Sequence, residues 1–303
     1  MKACVVILQI IACAFLTGRL YAQSVDNDVR LYFEGVRAGA ESAMPKFDDT
    51  HGLDVVRPYL SDTMETVRVK ARELLFALAS FSIKPAIRSG AIEQLLAATG
   101  RNDLATTGVV VSMLKTFEKY DFTDSAKMHV RRLLKDEGPY LAEWMKIAGF
   151  LELKDLDHHI RPYTQPGNQQ SLRWSALLSL ARMGDGRAST EVLARAKKLG
   201  VNDDVVYKLF PDLLFTRDPS VINYMVDVLH QDADHCLSAD VERASAIPCG
   251  YRIMELLAPV VEGFPFSPDG SGDLNADDYA LALRIVREWF LTHEKYSIEK
   301  ERY

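Results

Sequence analysis

Apolar positions recur every three to four residues along nearly the whole chain, and no stretch alternates apolar and polar like a half-buried strand. That periodicity predicts an all-α protein. A first helix is expected from about Asn27 to Ala43, ending near Pro45. Helix pairs follow: Gly52 to Leu60 with Thr63 to Ser80, Pro85 to Ala98 with Asp103 to Phe117, and Asp124 to Leu134 with Tyr140 to Leu151. The later pairs are Asp155 to Tyr163 with Gln169 to Met183, Ala188 to Leu199 with Asp203 to Thr216, and Ser220 to His230 with Val241 to Val261. Each pair carries an apolar stripe too wide for its own partner to cover, and stacking of neighbouring pairs would bury the rest. Gly184-Asp185-Gly186 and Arg217-Asp218-Pro219 mark two joints, with Asp185 and Asp218 separated by 33 residues. An Asp ahead of a helix satisfies a free first-turn amide, and Pro at the first helical position has no amide to lose. Pro211 and Pro248 fall inside expected helices and predict kinks.

One helical phrase comes back. Asp62-Thr63-Met64-Glu65-Thr66-Val67-Arg68-Val69-Lys70-Ala71, running on to Leu74-Leu75, shares its grammar with Asn168-Gln169-Gln170-Ser171-Leu172-Arg173-Trp174-Ser175-Ala176-Leu177, running on to Leu180-Ala181. Each has an apolar-Arg pair, an Ala three residues after the Arg, and leucines on the same face. Arg68 and Arg173 lie 105 residues apart (173 − 68), three units of about 35. A weaker copy is Val241-Glu242-Arg243-Ala244. On these residues the chain resembles HEAT-repeat proteins, of the short-repeat kind related to the bilin-lyase HEAT-like units.

The resemblance implies an α-solenoid of stacked antiparallel helix pairs, a HEAT-like superhelix. About six units would occupy residues 51–262, with a capping helix in 23–50 and a Gly/Asp-rich loop and second capping helix in 263–303. Such arrays serve mostly as scaffolds and protein-binding surfaces, and a minority are lyases or receive prosthetic groups. The Arg of the phrase usually bonds the Asp or a carbonyl of a neighbouring turn, so Arg68, Arg173 and Arg243 are expected to be structural.

The N-terminus changes the picture of where this array works. Lys2 precedes an apolar run from Ala3 to Phe15 broken only by Gln9, and Thr17 to Ser24 turns polar and small, the build of a secretory signal peptide. Cleavage is expected after Ala22, placing the chain in a secreted or periplasmic setting. Ile10-Ile11-Ala12-Cys13 resembles a bacterial lipoprotein box and leaves anchoring at Cys13 as the alternative. The run is too short for a membrane span of about 20 residues, so no transmembrane segment is expected in the mature chain. Removing 22 of the 303 residues takes out Lys2 and Arg19 and moves the net charge from −6 to −8. That acidity argues against a nucleic-acid partner. Cys4 and Cys13 leave with the leader, so Cys236 and Cys249 remain. An even pair in an exported protein suggests a disulfide; the other reading is two thiols, one buried in the helix around Gly250.

Candidate chemistry is sparse. Ser267-Pro268-Asp269-Gly270-Ser271-Gly272-Asp273-Leu274-Asn275-Ala276-Asp277-Asp278 resembles a calcium-binding EF-hand loop, and its tail resembles dockerin loops. The resemblance implies Asp269, Ser271, Asp273, Asn275 and Asp278 as calcium ligands. Ser267 replaces the usual first Asp, and Asp278 is shorter than the bidentate Glu normally found last. The same residues also read as a polar turn whose Asp277 and Asp278 start the last helix. His158 and His159 diverge by about 100° on a helix and cannot readily share a metal. His230, Asp232, Asp234, His235 and Cys236 are denser, but an oxidised Cys236 cannot ligate. No hydrolase elbow, P-loop or dinucleotide fingerprint is present, and Ser297-Ile298-Glu299-Lys300 matches Ser-x-x-Lys without companion motifs. Trp144, Trp174, Tyr207, Phe210 and Trp289 read as core packing before groove lining. Tyr279 to Tyr303 reads as an amphipathic cap with Leu281, Ile285 and Trp289 on one face.

These readings predict a non-catalytic protein-interaction scaffold without a cofactor. The alternatives are an enzyme or small-molecule binder with a site between repeats, and a calcium-dependent adhesion element.

Overall fold

The computed structural model describes residues 23–40, 42–47, 49–99, 104–138, 140–231, 235–238 and 245–303. The signal peptide with Cys13, and also Asp103, Asp232, Asp234 and the Val241 to Ala244 phrase, lie outside them. The described chain is mostly helical, as the periodicity predicts. It divides into two compact units, one ending at Val130 and one starting at Arg131.

The first unit contains α1 (residues 23–37), α2 (Thr50–Val56), α3 (Glu65–Phe81), α4 (Pro85–Ala97) and α5 (Leu104–Leu114). α6 (Asp124–Lys135) follows in the chain. α4 packs on α2, α3 and α5. Val67, Ala71, Leu74 and Leu75 of α3 are fully buried, the i, i+4, i+7 stripe that a core-facing helix requires. Asp49 caps α2 by accepting from the Gly52 amide, and Pro85 opens α4, where its missing N–H costs nothing. Phe33 of α1 stacks on Tyr59, ring centroids 3.8 Å apart. The expected first helix stops at 37 rather than Ala43: Gly39 takes a left-handed φ of 72° and ends it.

The second unit runs through α7 (Leu141–Phe150), α8 (Asp157–Ile160), α9 (Gln170–Arg182), α10 (Gly186–Ala196), α11 (Asp203–Lys208), α12 (Phe210–Phe215) and α13 (Pro219–Leu229). It ends with strands β1 (Cys236–Leu237) and β2 (Ala246–Ile247), then α14 (Gly250–Leu257) and α15 (Tyr279–Thr292). α9 is central, packed on α7 and α10, while α13 meets α10, α12 and α14, and α14 meets α15. The α7–α9 crossing is close enough that a Cβ on Gly149 would stand 2.8 Å from Ser179 Cα, so only glycine fits there.

Three joints of this unit share one construction. Arg131 makes a two-point bond to Asp155 at 2.8 and 3.0 Å. Arg161 reaches Asp185 at 2.6 Å, and the Ser189 hydroxyl donates to Asp218 at 2.7 Å. Asp185 also caps α10 through the Arg187 and Ala188 amides, and Asp218 caps α13 through the Ser220 amide. Both caps stand where the joint motifs place them.

Elsewhere the elements differ from expectation. The Asp155 to Tyr163 helix is instead short α8 between 3₁₀ turns, because Pro162 removes a donor. The Asp203 to Thr216 helix is broken at Leu209 into α11 and α12, with Pro211 in the first turn of α12. Pro248 does not kink a helix. It lies between β2 and α14, and the described residues of the expected Val241 to Val261 helix form β2 and then α14, Gly250–Leu257. An antiparallel two-residue ladder that the periodicity did not announce pairs Cys236 with Ile247 and Leu237 with Ala246. Cys236 and Cys249 are joined by a disulfide, Cα atoms 5.0 Å apart, and both are buried. Among the described residues no helix is long and apolar enough to cross a membrane.

Candidate functional site

Charged and aromatic side chains of the second unit converge where α7, α9 and α12 meet. Phe210, Leu213 and Leu214 bury one face of α12, which turns Asp212 the other way, toward the neighbouring helices. Its carboxylate accepts from Trp174 Nε1 of α9 at 2.7 Å and from Lys146 Nζ of α7 at 2.9 Å. Both carboxylate oxygens are thereby committed, and the two bonds tie three helices together.

Arg182, the last residue of α9, and Arg217, just after α12, are each only 5% exposed. Arg217 holds a left-handed backbone with φ of 50°, a conformation that strains a side-chain-bearing residue and clusters at functional positions. Both guanidinium groups donate to main-chain carbonyls. Arg182 reaches Phe215 O at 2.8 Å, Lys300 O at 2.7 Å and Arg302 O at 3.0 Å. Arg217 reaches Leu214 O at 2.5 Å, Glu299 O at 2.9 Å and Tyr303 O at 3.1 Å. The Arg182 guanidinium also lies 5.8 Å from the Phe150 ring and 5.6 Å from the Phe215 ring. Burial, with Arg217 adding like charge, pushes Arg182 down to about 9; burial pushes Arg217 down to about 10. Both stay cationic at neutral pH.

The segment they hold, residues 297–303, lies over the place where α7, α9 and α12 meet, here called the groove; it pairs at Ile298 and then bends, the Glu299 carboxylate accepting from the Glu301 and Arg302 amides at 2.5 and 3.2 Å. The Glu262 amide donates to Ser297 O at 3.0 Å and the Glu299 amide to Val260 O at 2.8 Å, a bridge centred on Val261 and Ile298. Upstream, the Tyr296 hydroxyl donates to Asn223 at 2.7 Å. At the far end the Tyr303 ring sits between Phe150 and Phe215, centroids 5.6 and 5.0 Å away. Its hydroxyl is buried, and burial, with Glu143 and Asp212 adding to it, drives its pKa far above the usual tyrosine value. Lys300, Glu301 and Arg302 between these anchors are exposed.

The residues singled out from the sequence have other surroundings. In the Ser267 to Asp278 loop, Asp269 closes a turn by accepting from the Ser271 amide and hydroxyl and the Gly272 amide. Ser271 and Asp273 meet at 3.3 Å, and the Asn275 amide closes a small hairpin to Ser267 O. Asp278 caps α15 through the Leu281 amide. Among the described residues no group of three or more His, Cys, Asp or Glu is placed to hold a metal ion. His158 and His159 have ring centroids 4.2 Å apart, and burial followed by the His158 charge lowers the His159 pKa. Arg68 bonds the Asp62 and Thr63 carbonyls of its own helix start. Trp144 and Phe210 are core residues, Trp289 stacks on His293, and Tyr207 is half exposed with Arg252 over its ring. Only Trp174 of these aromatics belongs to the groove.

Sequence reading therefore missed Lys146, Arg182, Asp212, Arg217 and Tyr303. The one local hint was Arg217 in a joint motif whose Asp and Pro already had a role. A second depression, in the first unit, is a polar cleft of about 510 Å³ lined by Asp54, Arg57, Glu93, Gln94, Ser125 and His129. No family model, curated protein or solved structure matches the chain.

Proposed function

We propose that this chain is an exported, HEAT-like α-solenoid scaffold whose second unit displays a recognition groove for a protein partner. The observation that carries the reading is the repeated joint. Asp155, Asp185 and Asp218 accept side-chain bonds from the preceding helix pair at intervals of 30 and 33 residues, as a stacked two-helix repeat requires. Such joints make a rigid frame, and rigid frames hold recognition side chains at low ordering cost. The buried disulfide fits an oxidising compartment, which supports export.

A photo-cross-linking residue in place of Lys146, in the cells that make the protein, tests the partner. The expected result is one discrete adduct that purified components reproduce. No adduct from positions spread across both units would overturn the scaffold reading. Mass spectrometry of the mature N-terminus tests export: a chain starting at Gln23 supports plain secretion, a lipidated Cys13 supports the anchored form, and an intact leader overturns both.

A further inference from the structure

We propose that segment 297–303 is a tethered occupant of the recognition groove, and that the groove's partner is an extended peptide offering main-chain carbonyls to Arg182 and Arg217 and an aromatic ring to the slot between Phe150 and Phe215. This rests on the scaffold reading above and names the partner class for it.

The contacts of the segment divide by kind. Four consecutive-region carbonyls, of Glu299, Lys300, Arg302 and Tyr303, accept from the two arginines. One strand bridge at Val261 adds two more main-chain bonds. The Tyr303 ring fills an apolar slot, the Glu299 carboxylate holds the segment's own turn through the Glu301 and Arg302 amides, and Lys300, Glu301 and Arg302 are exposed. Recognition by backbone plus one ring is how strand-addition sites accept different peptides: the main chain gives affinity and one pocket gives selectivity.

Lifting the segment would take four carbonyl acceptors from the two guanidinium groups, which keep the Phe215 and Leu214 carbonyls and turn their other donors to water. An incoming strand restores those carbonyl bonds, so exchange costs less than opening.

The test uses the full chain and a fluorescent peptide of sequence Ser-Ile-Glu-Lys-Glu-Arg-Tyr, read by anisotropy. Tyr303→Ala, which empties the aromatic slot but leaves the carbonyls, is expected to bind the peptide at least about 10-fold more tightly than the wild-type chain. Replacing the peptide's Tyr by Ala should weaken that binding about 30-fold, whereas replacing its Lys and its second Glu together should change it less than about threefold. A folded Tyr303→Ala chain that binds no better than wild type would make the segment a fixed brace and sink the proposal. Should that variant not fold, hydrogen exchange on the wild-type chain decides. Glu262 and Glu299 amides exchanging well before those of α9 supports a detachable segment, and exchange only on global unfolding overturns it. Either negative result leaves the cross-linking test at Lys146 intact, so failure of the scaffold reading is seen separately.

Discussion

Asp212 shows how much one carboxylate organises. It is the common acceptor for Trp174 and Lys146, and its charge is one of those that keep Tyr303 protonated. Asp212→Ala should cost about 1 to 3 kcal/mol in urea denaturation, because an indole N–H and an ammonium lose their partner in a partly buried place. Trp174 emission should change in the same variant before any unfolding. The caps Asp185 and Asp218 were legible in the sequence, since a cap bonds amides two or three residues ahead and its physics is local. Arg182 and Arg217 were not, since their acceptors include carbonyls 118 and 86 residues away in the chain, and a carbonyl has no residue type to recognise. The repeated Arg of the helical phrase drew attention to Arg68, which serves its own helix start, while the arginines that hold the groove stand at helix ends.

At the scale of elements, strand β2 stands at Ala246–Ile247, inside an expected helix, because those residues pair with Cys236 and Leu237 beside the Cys236–Cys249 disulfide. Reduction, or Cys236→Ser with Cys249→Ser, should lower stability by about 2 to 3 kcal/mol, read as a drop in melting temperature. The loop ahead of α15 gives a sharper contrast. Asp278 is bonded as a helix cap, so Asp278→Ala should destabilise by about 1 kcal/mol in chelator and in calcium alike. A loss confined to calcium-containing buffer would instead support the ion-binding reading of Asp269, Ser271, Asp273, Asn275 and Asp278. The reading of this loop as a polar turn with Asp278 at the start of the last helix was legible, because a cap is local; the turn that Asp269 closes through Ser271 and Gly272 was not.

For the molecule as a whole, the joints set the response to acid. The Arg131 bond holds Asp155 below its ordinary value of 3.8. Burial alone would raise Asp185 and Asp218, but Arg161 and the α10 amides for one, and the Ser220 and Ser189 hydroxyls for the other, outweigh it and lower both. A carboxylate with a depressed folded pKa contributes stability that is complete above its unfolded value and is lost as pH falls through the folded one. Thermal stability should therefore hold steady down to about pH 4 and fall below it, and Asp185→Asn should flatten that fall. The all-α class was legible because periodicity is a property of every helix; the division at Val130 was not, because α6 carries no break there. The placement of segment 297–303 has one more consequence, for biosynthesis. Arg182 and Arg217 acquire most of their acceptors only from residues 299 to 303, so in a growing chain the two guanidinium groups face water in place of these carbonyls until Tyr303 has been added. Nascent chains stopped before residue 297 should present a second unit that protease digests, whereas chains extended through Tyr303 should present a resistant one.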